Sequence, residues 1–144
     1  MKPTRRSSSR RGAVLLELAL MLPVLILIIM IVLEGSALVR THQILNNAAR
    51  EGARLSVIKP NQGGTADIVT RVIAYAAENG VAITAGNVTI NQSAWIPVPG
   101  APSISASQVT VNYSYTLNYL AVFAWLGVPS TYTLQGAAEF RNFY

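Results

Sequence analysis

The chain has 144 residues, of which 51% are hydrophobic and only 12% are charged. It contains no cysteine and a single histidine, which excludes a disulfide-stapled fold and argues against a metal centre. The formal net charge of +5 comes from residues 1–11, because the remainder has equal numbers of basic and acidic residues. Basic residues beside an apolar segment are typical of the cytoplasmic flank of a membrane helix, so we expect no nucleic-acid partner.

A membrane-length apolar segment follows the basic residues. Residues 18–33 carry no charge, and Glu17 and Glu34 flank them. A bilayer core requires about 20 apolar residues, and a helix from residue 13 to Glu34 would cover about 31 Å. We predict one transmembrane segment over about residues 13–36, with a cytoplasmic N-terminus and an exported C-terminus.

Glu17 requires an explanation, because a carboxylate one helical turn into a membrane span is costly. Arg10-Arg11-Gly12, with Glu17 fifth after the glycine, resembles the cleavage site of a type IV prepilin. The resemblance implies that a prepilin peptidase cuts between Gly12 and Ala13 and that residues 1–12 are a leader peptide. It also implies that Glu17 takes part in subunit docking or processing. The helix dipole, which favours a negative charge in the first turn, is the plainer explanation of Glu17.

The basic residues and the apolar segment also fit two kinds of membrane-targeting sequence that are not pilin-like. A cleaved secretory signal peptide has an apolar core of about 7–15 residues, which is shorter than this one. An uncleaved signal anchor accounts for the basic residues and the span, but it leaves Glu17 unexplained.

Beyond the membrane, the helix is expected to continue to residue 59. Residues 40–55 contain no proline, and their apolar residues recur at helical spacing. Ala48, Gly52 and Ser56 form a row of small side chains that would let a second backbone approach closely. Judged by residue type alone, the stretch is more typical of a solvated amphipathic stalk than of a binding face.

Three motifs together resemble the TadE-type pseudopilins of tight adherence (Flp) pilus systems. They are Leu22-Pro23, Glu34-Gly35 and the block Asn47-Ala48-Ala49-Arg50-Glu51-Gly52-Ala53-Arg54. Within the block, Ala49–Arg54 is the specific part, and we assign Ala48–Arg54 to the family motif and to helix packing. The resemblance covers about the first 58 residues. It implies a single-pass bacterial inner-membrane protein that is processed by the prepilin peptidase and acts as a minor pilin-like subunit or assembly factor. The implied partners are the membrane, the peptidase, other pilus or pseudopilin subunits and the inner-membrane assembly platform.

The remaining residues, 60–144, are expected to form one exported domain. Pro60 predicts the end of the long helix, because a proline disfavours helix at the preceding residue. Thr65 is expected to cap a second helix with its hydroxyl, and Asn79-Gly80 is expected to end it. The apolar stripe of this helix consists of Ile68, Val69, Val72, Ile73 and Ala76.

Strands are predicted at Asn87–Ser93, Ser107–Tyr119 and Thr131–Phe140. The second is the clearest, because six apolar or aromatic residues alternate with polar ones. Trp95–Ser105 contains three prolines and is expected to be irregular. The predicted fold class is α+β and pilin-like: a long membrane-spanning helix continues as a stalk, followed by one amphipathic helix on a three- or four-stranded antiparallel sheet.

A second apolar segment, residues 119–126, is too short to span a bilayer. It would suit the domain core, a lipid-surface contact or a subunit contact. The core is our expectation, because exposed apolar patches are uncommon unless they are functional.

No residue pattern predicts an enzyme. His42 is the sole histidine, and the acidic residues are scattered, so we predict no catalytic, cofactor or metal site. The leading hypothesis is a pilus subunit or assembly factor. The alternative is an uncleaved single-pass anchor whose exported domain binds an envelope component or ligand.

Overall fold

The computed structural model describes residues 8–58, 64–100 and 102–142. Its main elements are the helices α1 (Ser8–Ile58) and α2 (Ala66–Glu78) and the strands β1 (Val88–Ile96), β2 (Ile104–Thr116) and β3 (Thr131–Arg141). Two short 3₁₀ helices cover Ala85–Asn87 and Leu120–Leu126. Residues 1–7 of the expected leader, and Pro60 with its expected helix break, lie outside the described residues.

The long helix α1 is continuous over 51 residues and includes Pro23. It begins at Ser8, so the end of the expected leader and the expected span share one helix. Residues 12–33 are exposed except for the half-buried Met30. Among the described residues, α1 is the one helix long and apolar enough to cross a membrane, and its most apolar window is entirely unburied. The predicted membrane-length helix is therefore present.

The three described strands form one antiparallel sheet in the order β1-β2-β3. The predicted third strand is confirmed, whereas β2 begins and ends three residues before the predicted bounds. Trp95 and Ile96 pair with Ser105 and Ile104. The expectation that all of Trp95–Ser105 is irregular was thus wrong, because the prolines occupy only the connection between the two strands.

The C-terminal half of α1 packs against β2, β3 and α2. The expected solvated stalk was wrong, since Ala48, Gly52 and Ser56 are all buried. The small residues allow close approach within this chain: a Cβ at Gly52 would overlap Val72 of α2. The sheet is therefore covered largely by α1, where we had expected the second helix alone.

The second helix has its predicted inner face, with Ile68, Val72 and Ala76 buried. Thr65 occupies the N-cap position, but its side chain makes no capping hydrogen bond, so that predicted role was wrong. The helix ends at the predicted Asn79-Gly80, where Gly80 has φ +83°. This conformation is accessible to glycine at little cost.

Candidate functional site at the membrane boundary

Glu34 lies where α1 passes from its exposed apolar half to the half packed in the domain, and it is only 2% exposed. Its Oε1 accepts a hydrogen bond of 2.8 Å from the Tyr115 hydroxyl. Its Oε2 accepts bonds from the backbone N–H groups of Asn118 (3.0 Å), Tyr119 (2.6 Å) and Leu120 (3.1 Å). Hydrogen bonds to an ionised group are stronger than neutral ones. One carboxylate thus joins α1 to the segment that follows β2.

These bonds explain why β2 stops at Thr116. The first N–H groups of a helix have no partner within the helix. At the start of the 3₁₀ helix Leu120–Leu126, the N–H groups of residues 118–120 donate to Glu34 instead. Burial raises the pKa of the Tyr115 hydroxyl above its ordinary value, and the bond to Glu34 raises it further. The phenol therefore remains protonated, and a donor, at neutral pH.

The 3₁₀ helix Leu120–Leu126 has no buried residue. The side chains of Val122, Trp125 and Leu126 are 59%, 78% and 61% exposed. Our expectation that residues 119–126 enter the domain core was therefore wrong for the segment as a whole, although Leu120 at its start is half-buried against the core. The space over the sheet is filled by α1, and Glu34 holds the start of the 3₁₀ helix at the edge of the domain.

Gly12, Ala13 and Glu17 lie together on the exposed part of α1, remote from the domain. Glu17 is exposed, and its side chain makes no hydrogen bond or ion pair with another described residue. A Cβ added at Gly12 would meet nothing within 4 Å. Glu17 is about 46 Å from Ala48 along the helix. The fold thus does not bring the expected processing residues and the family block together.

The block Ala48–Arg54 has an inner and an outer side. Ala48, Ala49, Gly52 and Ala53 are buried against the sheet and α2, whereas Arg50 and Arg54 are exposed. Glu51 bonds to Arg71 of α2 at 3.2 Å. An exposed pair of this kind contributes about 0–1 kcal/mol. The small residues of the block therefore hold α1 against the domain, and the two arginines face solvent.

The hydrogen bond between Glu34 and Tyr115 was not predicted from the sequence. The available signal was the same as for Glu17: a carboxylate at the edge of an apolar span requires a partner. Gly136 was also missed, and a Cβ there would lie 2.5 Å from the carbonyl carbon of Leu45.

In the described part of the chain, no three His, Asp or Glu side chains are grouped so as to hold a metal ion.

The fold and the boundary site define a class of protein: an α+β domain carried on one long helix whose exposed apolar half is suited to a membrane. Residues 12–54 match the family model of TadE-like proteins, and over this segment the chain is TadE-like. The match begins at Gly12 and ends at the last arginine of the block. The match covers 43 of the 144 residues, and the matched family is associated with tight adherence pilus assembly. No curated protein and no solved structure matches the chain.

Proposed function

We propose that this protein is a minor pilin-like subunit or assembly factor of the tight adherence (Flp, type IVb) pilus. The helix α1 anchors it in the inner membrane, and a prepilin peptidase removes residues 1–12. The basic residues ahead of the span set a cytoplasmic N-terminus and an exported domain. The observation that carries the proposal is Glu17, a carboxylate with no partner among the described residues, on an apolar helix that is exposed along its N-terminal half.

Glu17 needs a partner from outside the described chain. Lipid covers the neighbouring apolar side chains favourably, but it offers a carboxylate no compensating charge. Cleavage after Gly12 would create a free amine on Ala13, and the amine of one subunit would pair with Glu17 of the next. Opposite charges attract strongly in a medium of low dielectric constant, whereas either one alone is costly there. Processing and docking would thus be coupled.

Gly12 supports the same proposal. Glycine lowers helix stability by about 1 kcal/mol relative to alanine, and no neighbour crowds Gly12, so the fold provides no reason for a glycine there. Recognition by the peptidase is a reason that lies outside the fold.

The test is Glu17→Gln in the full-length protein, expressed with the other components of the pilus system. The substitution keeps the size of the side chain and removes its charge. We expect unchanged membrane insertion, together with loss of pili and of co-purification with other pilus subunits. Glu78→Gln is the matched control, because Glu78 is an exposed carboxylate on the domain, and it should behave as the unmodified protein. Normal pili and normal subunit association in Glu17→Gln would refute the docking role.

A further inference from the structure

We infer that the 3₁₀ helix Leu120–Leu126 is a second membrane contact, which inserts its apolar side chains into the outer interface of the bilayer that α1 spans. The inference rests on the proposed function to the extent that α1 must cross that bilayer. The starting observation is the exposure of Val122, Trp125 and Leu126, which no other described part of the chain covers.

The position of this helix along α1 identifies its occupant as lipid. Leu120 N–H lies 3.1 Å from Oε2 of Glu34, so the 3₁₀ helix begins at the level of that residue. A helix from residue 13 to Glu34 covers about 31 Å, and the hydrocarbon core of a bilayer is about 30 Å thick. The 3₁₀ helix therefore starts where the hydrocarbon ends.

The composition of the segment suits that depth. Residues 119–126 carry no charge and include one tyrosine and one tryptophan. Both residue types are enriched at membrane interfaces, where one end of the side chain is apolar and the other is hydrated. Val122 and Trp125 are three residues apart and thus share a face of a 3₁₀ helix, and Leu126 is adjacent to Trp125.

A second contact would fix the orientation of the domain. A single helix leaves the domain free to rotate about the helix axis. The hydrogen bonds from residues 118–120 to Glu34 attach the apolar segment to one side of α1. Lipid contact on that side would fix the direction in which the opposite side of the domain points. The exposed side chains of Arg50 and Arg54 lie on that opposite side and would be presented to partner subunits in one orientation.

The experiment uses the full chain in vesicles of phosphatidylethanolamine and phosphatidylglycerol. Because the sequence has no cysteine, single-cysteine variants carry one fluorescent label each. The variants are Leu126→Cys in the 3₁₀ helix, Val32→Cys in the span and Thr65→Cys at the far end of the domain, all at exposed positions. Thr65 follows the C-terminal end of α1, and Ile58 lies about 36 Å beyond Glu34 along that helix.

We expect the label at residue 126 to be quenched by lipids with a nitroxide near the headgroup and protected from aqueous iodide. The label at Val32→Cys, two residues before Glu34, should be quenched by lipids with a nitroxide high on the acyl chain, and the label at Thr65→Cys only by iodide. Quenching of residue 126 by iodide alone would overturn the inference. Protection that disappears at low protein-to-lipid ratio, without lipid quenching, would assign the segment to a protein contact and would also overturn it.

The span position separates this inference from the proposed function. If the label at Val32→Cys is quenched by lipid and that at Leu126→Cys is not, only the second contact is wrong. If neither is quenched by lipid, α1 does not enter the bilayer, and the proposed function fails with it.

Discussion

Replacing Glu34 by glutamine should weaken the attachment of the segment after β2 to α1. Glutamine has one accepting oxygen where the carboxylate has two, and its NH₂ group cannot accept the backbone N–H groups that now bond to Glu34. The Tyr115 hydroxyl can rotate to accept from the amide, so part of the network survives. Hydrogen bonds to a charged group contribute about 1.5–3 kcal/mol each. We expect a loss equivalent to one such bond.

Amide hydrogen exchange measures this loss directly, because the bonds protect individual N–H groups. A cost of about 1.5–3 kcal/mol corresponds to roughly 10- to 150-fold faster exchange where local opening controls it. The increase should appear at Tyr119 and Leu120, and amides in the centre of β2 should change much less.

Glu17→Gln is the matched control, since it makes the same substitution in the same helix at a carboxylate without a described partner. It should leave exchange at Tyr119 and Leu120 unchanged. Exchange within twofold of the unmodified protein in Glu34→Gln would refute the role assigned to Glu34. An equal increase in both variants would show a general effect of charge removal.

Two further predictions concern the domain. Gly136→Ala should destabilise the protein by about 1–3 kcal/mol or more, because the new Cβ would lie 2.5–2.7 Å from backbone atoms of Leu45 and Asn46 that cannot move aside. Thermal unfolding in detergent measures this, and Gly86→Ala, whose Cβ has 3.9 Å of clearance, should show no such loss. The folded state raises the pKa of the Tyr115 hydroxyl above its ordinary value of 10.0. The free energy of unfolding that the protonated hydroxyl contributes is therefore fully present below pH 10, and it is lost as the pH rises through the raised pKa. In Tyr115→Phe, alkaline unfolding curves should lack this component; an unchanged curve would contradict the assignment.

Local sequence patterns predicted most of the elements. The 3.6-residue spacing of Ile68, Val72 and Ala76 indicated the inner face of α2, and strict alternation located β2 to within three residues at each end. Such patterns reflect which face of an element is buried, and that is the property they predict best.

The patterns could not show which distant groups meet. The alternation of β2 continues through Leu117 and Tyr119, yet the strand ends at Thr116 because N–H groups beyond it bond to Glu34, more than 80 residues away in sequence. Hydrophobicity likewise could not distinguish a core segment from an exposed one, which is why residues 119–126 were assigned to the core as a whole when only Leu120 packs against it. The row Ala48, Gly52 and Ser56 predicted close approach, but not that the approaching element belongs to the same chain.

The N-terminus of the protein extracted from membranes of cells with an active prepilin peptidase tests the central claim most directly. Cleavage would remove 12 of the 144 residues, leaving a chain of 132 that begins at Ala13. Every described contact of the domain lies beyond that point, so the fold should survive. We predict this mature mass for the unmodified protein and the full-length mass for Gly12→Val. Gly35→Val is the matched control, because a Cβ at either glycine would meet nothing within 4 Å, and it should show the mature mass. An unmodified protein that still begins at Met1 or Lys2 would contradict the account and would favour an uncleaved membrane anchor.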